Sequence, residues 1–139
     1  MMQQKSIFTV FAATLLYGCS FLASSVTYYD PTTYKNLTDL KPEVVFLYET
    51  FAQDSIDLSA IQQVRLTMAR ILEYEKGKGD KNRETTAQIR IIRGIFEGDV
   101  EHRNKNGKWS NAQRDNQIEN ISDAFDLAIS TERLKNKNE

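Results

Sequence analysis

The chain has 139 residues, 40% of them apolar and 27% charged, with a formal net charge of −1. That length and balance fit one domain of average composition, and they exclude wholesale disorder, a polytopic membrane protein and a globally basic nucleic-acid binder. The single cysteine, Cys19, excludes an intrachain disulfide, so packing has to hold the fold together.

Met1 to Ser6 are polar with one cation, Lys5, and they precede an apolar run from Ile7 to Leu16. A bilayer-spanning helix needs roughly 20 apolar residues, whereas the apolar region of a cleaved signal sequence has roughly 7–15, and this run belongs to the second class. Leu16-Tyr17-Gly18-Cys19 follows at once, with an aliphatic residue at −3, Tyr17 at the permissive −2 position and a small residue before the cysteine. This pattern resembles the lipobox of bacterial lipoproteins. The resemblance implies a signal peptide over 1–18, cleavage between Gly18 and Cys19, and diacylglycerol on the Cys19 sulfur, usually with a further acyl chain on the new amino group. Two or more chains, at about 0.8 kcal/mol per buried CH₂, would hold the protein at a membrane. Ser20 is compatible with an outer-membrane anchor facing the periplasm in a Gram-negative host; a Gram-positive host would keep the anchor in its plasma membrane. A conventional cut near Ala23-Ser24-Ser25, discarding Cys19, and an uncleaved buried helix are the alternatives.

Residues 19–38 read as a lipidated tether followed by an aromatic strap, Tyr28-Tyr29-Asp30-Pro31-Thr32-Thr33-Tyr34, with a turn-forming Asp-Pro pair. A helical bundle is expected over 39–134. Its first helix is predicted from an Asp39 cap, with Pro42 in the first turn, to about Gln53. Val44, Leu47, Tyr48 and Phe51 form the apolar stripe, widened by Val45 and Phe46. Asp54-Ser55-Ile56-Asp57 reads as a break and a new cap, and a second helix follows from about Leu58 to Lys76, buried through Ile61, Val64, Met68, Ile71 and Leu72 and stopped by Gly77 and Gly79.

The third helix is expected from near Asn82 to about Arg103, with Ile89, Ile92, Phe96 and Val100 on one side. Ile91 and Ile95 extend that stripe toward a second neighbour, and Gly94 and Gly98 suggest a close helix approach. Ser110 and Gln113 form the S-x-x-Q capping box of a fourth helix carrying Ile118, Ile121, Phe125, Ala128 and Ile129. Residues 135–139 read as a frayed tail. No segment alternates as a half-buried strand would, so the fold class is a small all-α bundle of about four helices.

No catalytic constellation is legible, and a non-enzymatic protein is expected. The one histidine, His102, has no second His or free Cys to share a metal with, so neither a metal nor a cofactor is expected beyond the covalent lipid on Cys19. The carboxylate pairs Glu73/Glu75, Asp99/Glu101 and Asp123/Asp126 do not stand out from ordinary surface acids. Gly77-Lys78-Gly79-Asp80-Lys81 lacks the spacing and the Lys-Ser/Thr close of a phosphate-binding P-loop, and G-x-S-x-G is absent.

Charge is unevenly spread. Ten basic and five acidic residues lie between Lys76 and Arg114, against four and eight from Tyr28 to Glu75. Arg83, Arg90 and Arg93 are therefore candidate contacts for lipid phosphates, lipopolysaccharide or an acidic partner protein, although they can also simply face solvent or pair with neighbours, as Arg93 can with Glu97 one turn on. Tyr28, Tyr29 and Tyr34 are further candidate contacts, suited either to a membrane interface or to packing across the bundle. Trp109 reads as a lid on one end of the core.

The block from Tyr29-Asp30-Pro31 to Leu40-Lys41-Pro42-Glu43 is similar to the start of small uncharacterised bacterial envelope lipoproteins. The resulting expectation is a membrane-anchored helical module that binds or scaffolds an envelope protein or component, with no nucleic-acid partner. An immunity or phage-exclusion lipoprotein, or a small-ligand carrier, are the alternatives.

Overall fold

A computed structural model describes residues 28–135; Gly18 and Cys19 lie outside the described residues. Pro31–Thr50 forms α1, Leu58–Gly77 forms α2, Arg83–Asn106 forms α3 and Asn111–Leu134 forms α4, with a 3-10 turn at Asp80–Asn82 ahead of α3. The short links fold each helix back on its predecessor. α1 and α3 each pack against both α2 and α4, so α1 and α3 face one another across a diagonal. The protein is a small all-α, four-helix bundle.

α1, α2 and α4 each start where a side chain satisfies the first N–H groups. Asp30 accepts the backbone N–H groups of Thr32 at 2.8 Å and Thr33 at 3.4 Å, and Pro31 occupies the first helical position, where its missing N–H costs nothing. Asp57 accepts from the Ala60 N–H at 2.9 Å, and Ser110 from the Gln113 N–H at 3.2 Å. Gly107, at φ +85°, closes α3 with its N–H donated to the Arg103 carbonyl, a conformation that favours glycine.

Several sequence expectations need correction. The first helix begins eight residues before Asp39, because Asp30-Pro31 supplies the cap-and-proline signal expected from Asp39 and Pro42. Residues 31–38 are thus helix rather than strap, Pro42 sits inside α1 on an exposed face, and the helix stops at Thr50 instead of Gln53. α3 continues past Arg103 to Asn106, where Gly107 ends it. Phe46 does not widen the buried stripe; it is 75% exposed. Ile91 is 59% exposed, whereas the half-buried Ile95 does pack against the core. Gly94 and Gly98 make no close helix approach, since a Cβ at either would meet nothing within 4 Å. The Ser110/Gln113 capping box is half-formed: the Gln113 amide group points to the His102 ring, 3.2 Å from Nδ1.

The predicted stripes of α2 and α4 and the Ile89, Ile92, Phe96, Val100 row of α3 do converge on one core, with Ile118 and Ile129 packed against it. Trp109 closes one end. Its ring meets Tyr48 and Phe51 edge-on at 5.3 and 4.9 Å between centroids, and its backbone N–H donates to the Phe51 carbonyl at 2.9 Å. Such aromatic pairs add about 0.5–1.5 kcal/mol each beyond the area they bury. Beside them Arg103 is buried, and its guanidinium donates to the carbonyls of Phe51 at 2.8 Å and Gln53 at 2.6 Å, which ties the end of α1 to α3.

Candidate functional site

At the end of the bundle opposite Trp109, the start of α1 and α3 meet the last turns of α2 and α4 around a polar cluster. Two glutamates there, Glu75 and Glu132, have no exposed surface at all. Glu75 accepts from the Thr33 hydroxyl at 2.5 Å, from the Lys78 ammonium at 3.1 Å and from the Asn82 side-chain amide. Glu132 accepts the Asp30 backbone N–H at 2.7 Å and the Lys135 ammonium at 2.5 Å, and Lys135 also donates to the Asn82 side-chain carbonyl at 2.7 Å. Lys78 completes the cluster with an ion pair to Asp30 at 2.5 Å, while lying 4.7 Å from the centre of the Tyr74 ring. Buried carboxylates of this kind are tolerated only when they are paired and hydrogen-bonded, and here each has both.

The electrostatics follow from that geometry. Burial raises the Asp30 carboxyl, but hydrogen bonds from Lys78, Tyr74 and the Thr32 amide outweigh it and hold the group well below the usual carboxylate range. Burial likewise works against the charged Lys78, and the bonds to Asp30 and Glu75 overcome it and raise the ammonium. At the other end, Asp99 has a raised carboxyl chiefly through burial, although the Tyr48 hydroxyl donates to it at 2.7 Å.

Sequence reasoning passed over this cluster, yet a signal was present. Glu75-Lys76-Gly77-Lys78 and Glu132-Arg133-Leu134-Lys135 repeat an E-x-x-K pattern in the last turns of two different helices. In each case the glutamate continues the apolar stripe, after Met68, Ile71 and Leu72 in α2 and after Phe125 and Ala128 in α4. An acid on a buried face with a lysine three residues on marks a paired, inward-facing carboxylate.

The sequence-predicted contact residues are scattered. Arg83, Arg90 and Arg93 are exposed on α3, and none forms an ion pair among the described residues. Arg83 and Arg90 share a small cleft with Lys76, Gly79 and Thr86, and Arg93 is not part of it. The expected Arg93–Glu97 pair is absent because Glu97 turns toward α2, where Arg65 grips it with two nitrogens at 2.6 and 2.9 Å. Tyr28 and Tyr29 line a shallow cleft with Asp30, Pro31, Tyr74 and Lys78. Tyr34 sits on the first turns of α1, with its ring 6.0 Å from that of Tyr29. His102 is exposed and lies 3.3 Å from the Trp109 indole nitrogen, which donates to its Nδ1.

Two further clefts differ in character. A polar one of about 400 Å³ lies between the first turn of α3 and the last turn of α4. A mostly apolar groove of about 220 Å³ runs between the second half of α1 and the first half of α2, lined by Phe46, Leu47, Ala60 and Val64 and rimmed by Glu43 and Asp57. Among the described residues no group of three or more His, Cys, Asp or Glu side chains could hold a metal ion, and no helix is long and apolar enough to cross a membrane. No protein-family model matches the chain, and neither a curated protein nor a solved structure matches it.

Proposed function

We propose that the protein is a lipid-anchored helical module of the bacterial envelope that binds a partner protein without catalysing a reaction. The carrying observation is the apolar groove between α1 and α2, where Phe46 leaves three-quarters of its surface in water beside Leu47 and Val64. Its volume of about 220 Å³ falls below the roughly 300–1,000 Å³ usual for small-molecule sites. An apolar ledge with an acidic rim suits one projecting side chain of a partner, flanked by cations, better than an enclosed ligand. The anchoring half of the reading rests on Leu16-Tyr17-Gly18-Cys19. The groove is formed at the end of α1 remote from Asp30.

The test has two parts. Cys19→Ser should abolish fatty-acid labelling and release the protein from the membrane fraction, and unchanged labelling and fractionation would refute the anchor. A photo-crosslinking residue at Phe46 in the native host should capture one discrete product, while the same residue at the exposed Leu127 on α4 should not. A product equally strong from both positions would refute the groove as the contact.

A further inference from the structure

The polar cleft between α3 and α4 has features that the proposed partner groove does not use. It is lined by Lys81, Asn82, Arg83, Glu84, Thr85, Thr131, Leu134 and Lys135, so three cations face one carboxylate. It lies at the N-terminus of a 24-residue helix, where partial positive charge accumulates. That N-terminus has no side-chain cap, because Asn82, which stands in the capping position, spends its amide on Glu75 and its carbonyl on Lys135. At the cleft floor Thr85 has no exposed surface, and its hydroxyl oxygen has no hydrogen-bond partner. A buried hydroxyl left unpaired costs free energy and calls for a missing acceptor. One turn on, the Gln88 side-chain carbonyl is also unpaired, and its amide donates to Thr131 on the opposite wall.

The Arg83 N–H is already given to the Asp80 carbonyl. We infer that this cleft binds a phosphate-type oxyanion, with the Thr85 hydroxyl and the remaining first-turn N–H groups of α3 as donors and Lys81 and Arg83 as the charged clamp. A tetrahedral dianion or phosphodiester supplies the acceptors that the hydroxyl and the uncapped turn lack, and helix N-termini bind such groups for that reason. Lys135 contributes field but is already held by Glu132 and Asn82, so the ligand's own contacts fall to Lys81 and Arg83. The ligand reaches Thr85 by displacing rim side chains, and the exposed Arg83, Glu84 and Leu134 are the ones free to move. The cleft shares its end of the bundle with Asp30, where the chain leads back toward Cys19, so the phosphate can belong either to a lipid headgroup or to a soluble anion. The inference does not depend on the partner groove.

The experiment uses the isotope-labelled full chain in a neutral maltoside detergent and follows its backbone amide resonances. Inorganic phosphate is titrated in, and the chain is also placed in nanodiscs of phosphatidylglycerol or of phosphatidylcholine. Saturable shifts confined to the Glu84, Thr85 and Leu134 amides support the site. Their appearance with inorganic phosphate assigns a soluble anion, and their appearance in nanodiscs of either lipid but not with inorganic phosphate assigns a headgroup, since both lipids carry a phosphodiester. Thr85→Val removes the hydroxyl at nearly constant shape and should weaken binding about tenfold, the loss of one charge-assisted hydrogen bond. Arg83→Gln, an exposed change that leaves the core intact, should weaken it as well. Absence of saturable shifts in every condition overturns the inference. So does a Thr85→Val protein that is more stable yet binds phosphate unchanged, which would mean that the hydroxyl faces only an internal water.

Discussion

Glu132 Oε1 accepts the backbone N–H of Asp30 at 2.7 Å, joining the last turn of α4 to the residue that caps α1, 102 positions earlier in the chain. The other carboxylate oxygen holds Lys135, and Asp30 in turn holds Lys78 and Tyr74. One buried acid thus latches the two ends of the folded body together and passes the connection to α2. A pull transmitted from residue 28 would act on three helices rather than on one frayed turn.

Glu132→Ala should cost about 3–5 kcal/mol, because it leaves the nearly buried Lys135 ammonium without its partner. Adding Lys135→Met should recover part of that loss by removing the unpaired charge, while the Asp30 N–H that Glu132 accepted stays unsatisfied. Urea unfolding of the two single variants and the double variant measures the coupling. A single-variant loss under about 1 kcal/mol would show that the pair is not buried as described.

Acid should destabilise the protein through Asp30. Its folded-state carboxyl titrates below the unfolded value of about 3.9, so the stability it contributes is complete above that value and is lost as the pH falls through the lower, folded-state range. Asp30→Asn keeps a competent helix cap but removes the charge. The variant should show a flatter loss of urea midpoint below about pH 4 than the parent. Parallel curves would remove Asp30 from the account of acid sensitivity.

The limits of the sequence reading have physical causes. Helix periodicity exposes the core stripes because burial repeats every three or four residues, and Ile61, Val64, Met68, Ile71 and Leu72 occupy the core as that spacing predicts. Two adjacent cap signals, Asp30-Pro31 and Asp39 with Pro42, are locally alike, and which one starts the helix depends on Glu132, Lys78 and Tyr74. Those partners arrive only with the fold. The same holds for the polar cluster: Glu75 looks like one more acid beside Glu73 until Thr33, Lys78 and Asn82 close over it. Phe46 shows the converse, since hydropathy cannot separate an apolar side chain that faces the core from its neighbour that faces water.

Asp99 should respond to pH in the opposite sense from Asp30. Burial raises its folded-state carboxyl above the unfolded value of about 3.9, so the ionised form costs stability at neutral pH. Stability from this group therefore increases as the pH falls from the raised folded value toward about 3.9, a window that lies above the one for Asp30. Asp99→Asn keeps an acceptor for Tyr48 and should leave the protein equally or more stable at pH 7. Tyr48→Phe, which strips the carboxylate of its donor, should cost about 1–3 kcal/mol. Thermal melts at pH 7 and pH 5 compare the two, and a large loss in Asp99→Asn would mean that the charge itself is needed.

Gly94 and Gly98 are the sharpest case in which the bundle alone explains too little. Both lie inside α3 on an exposed face, and a methyl group at either would meet open space. Each therefore carries the entropic penalty of glycine in a helix with no packing benefit to offset it. Gly94→Ala and Gly98→Ala should each stabilise the protein by about 0.5–1 kcal/mol. The measurement is the urea midpoint of the single and double variants, with an unchanged slope as the check that only stability has moved. A loss in either variant would contradict the open space around these two positions.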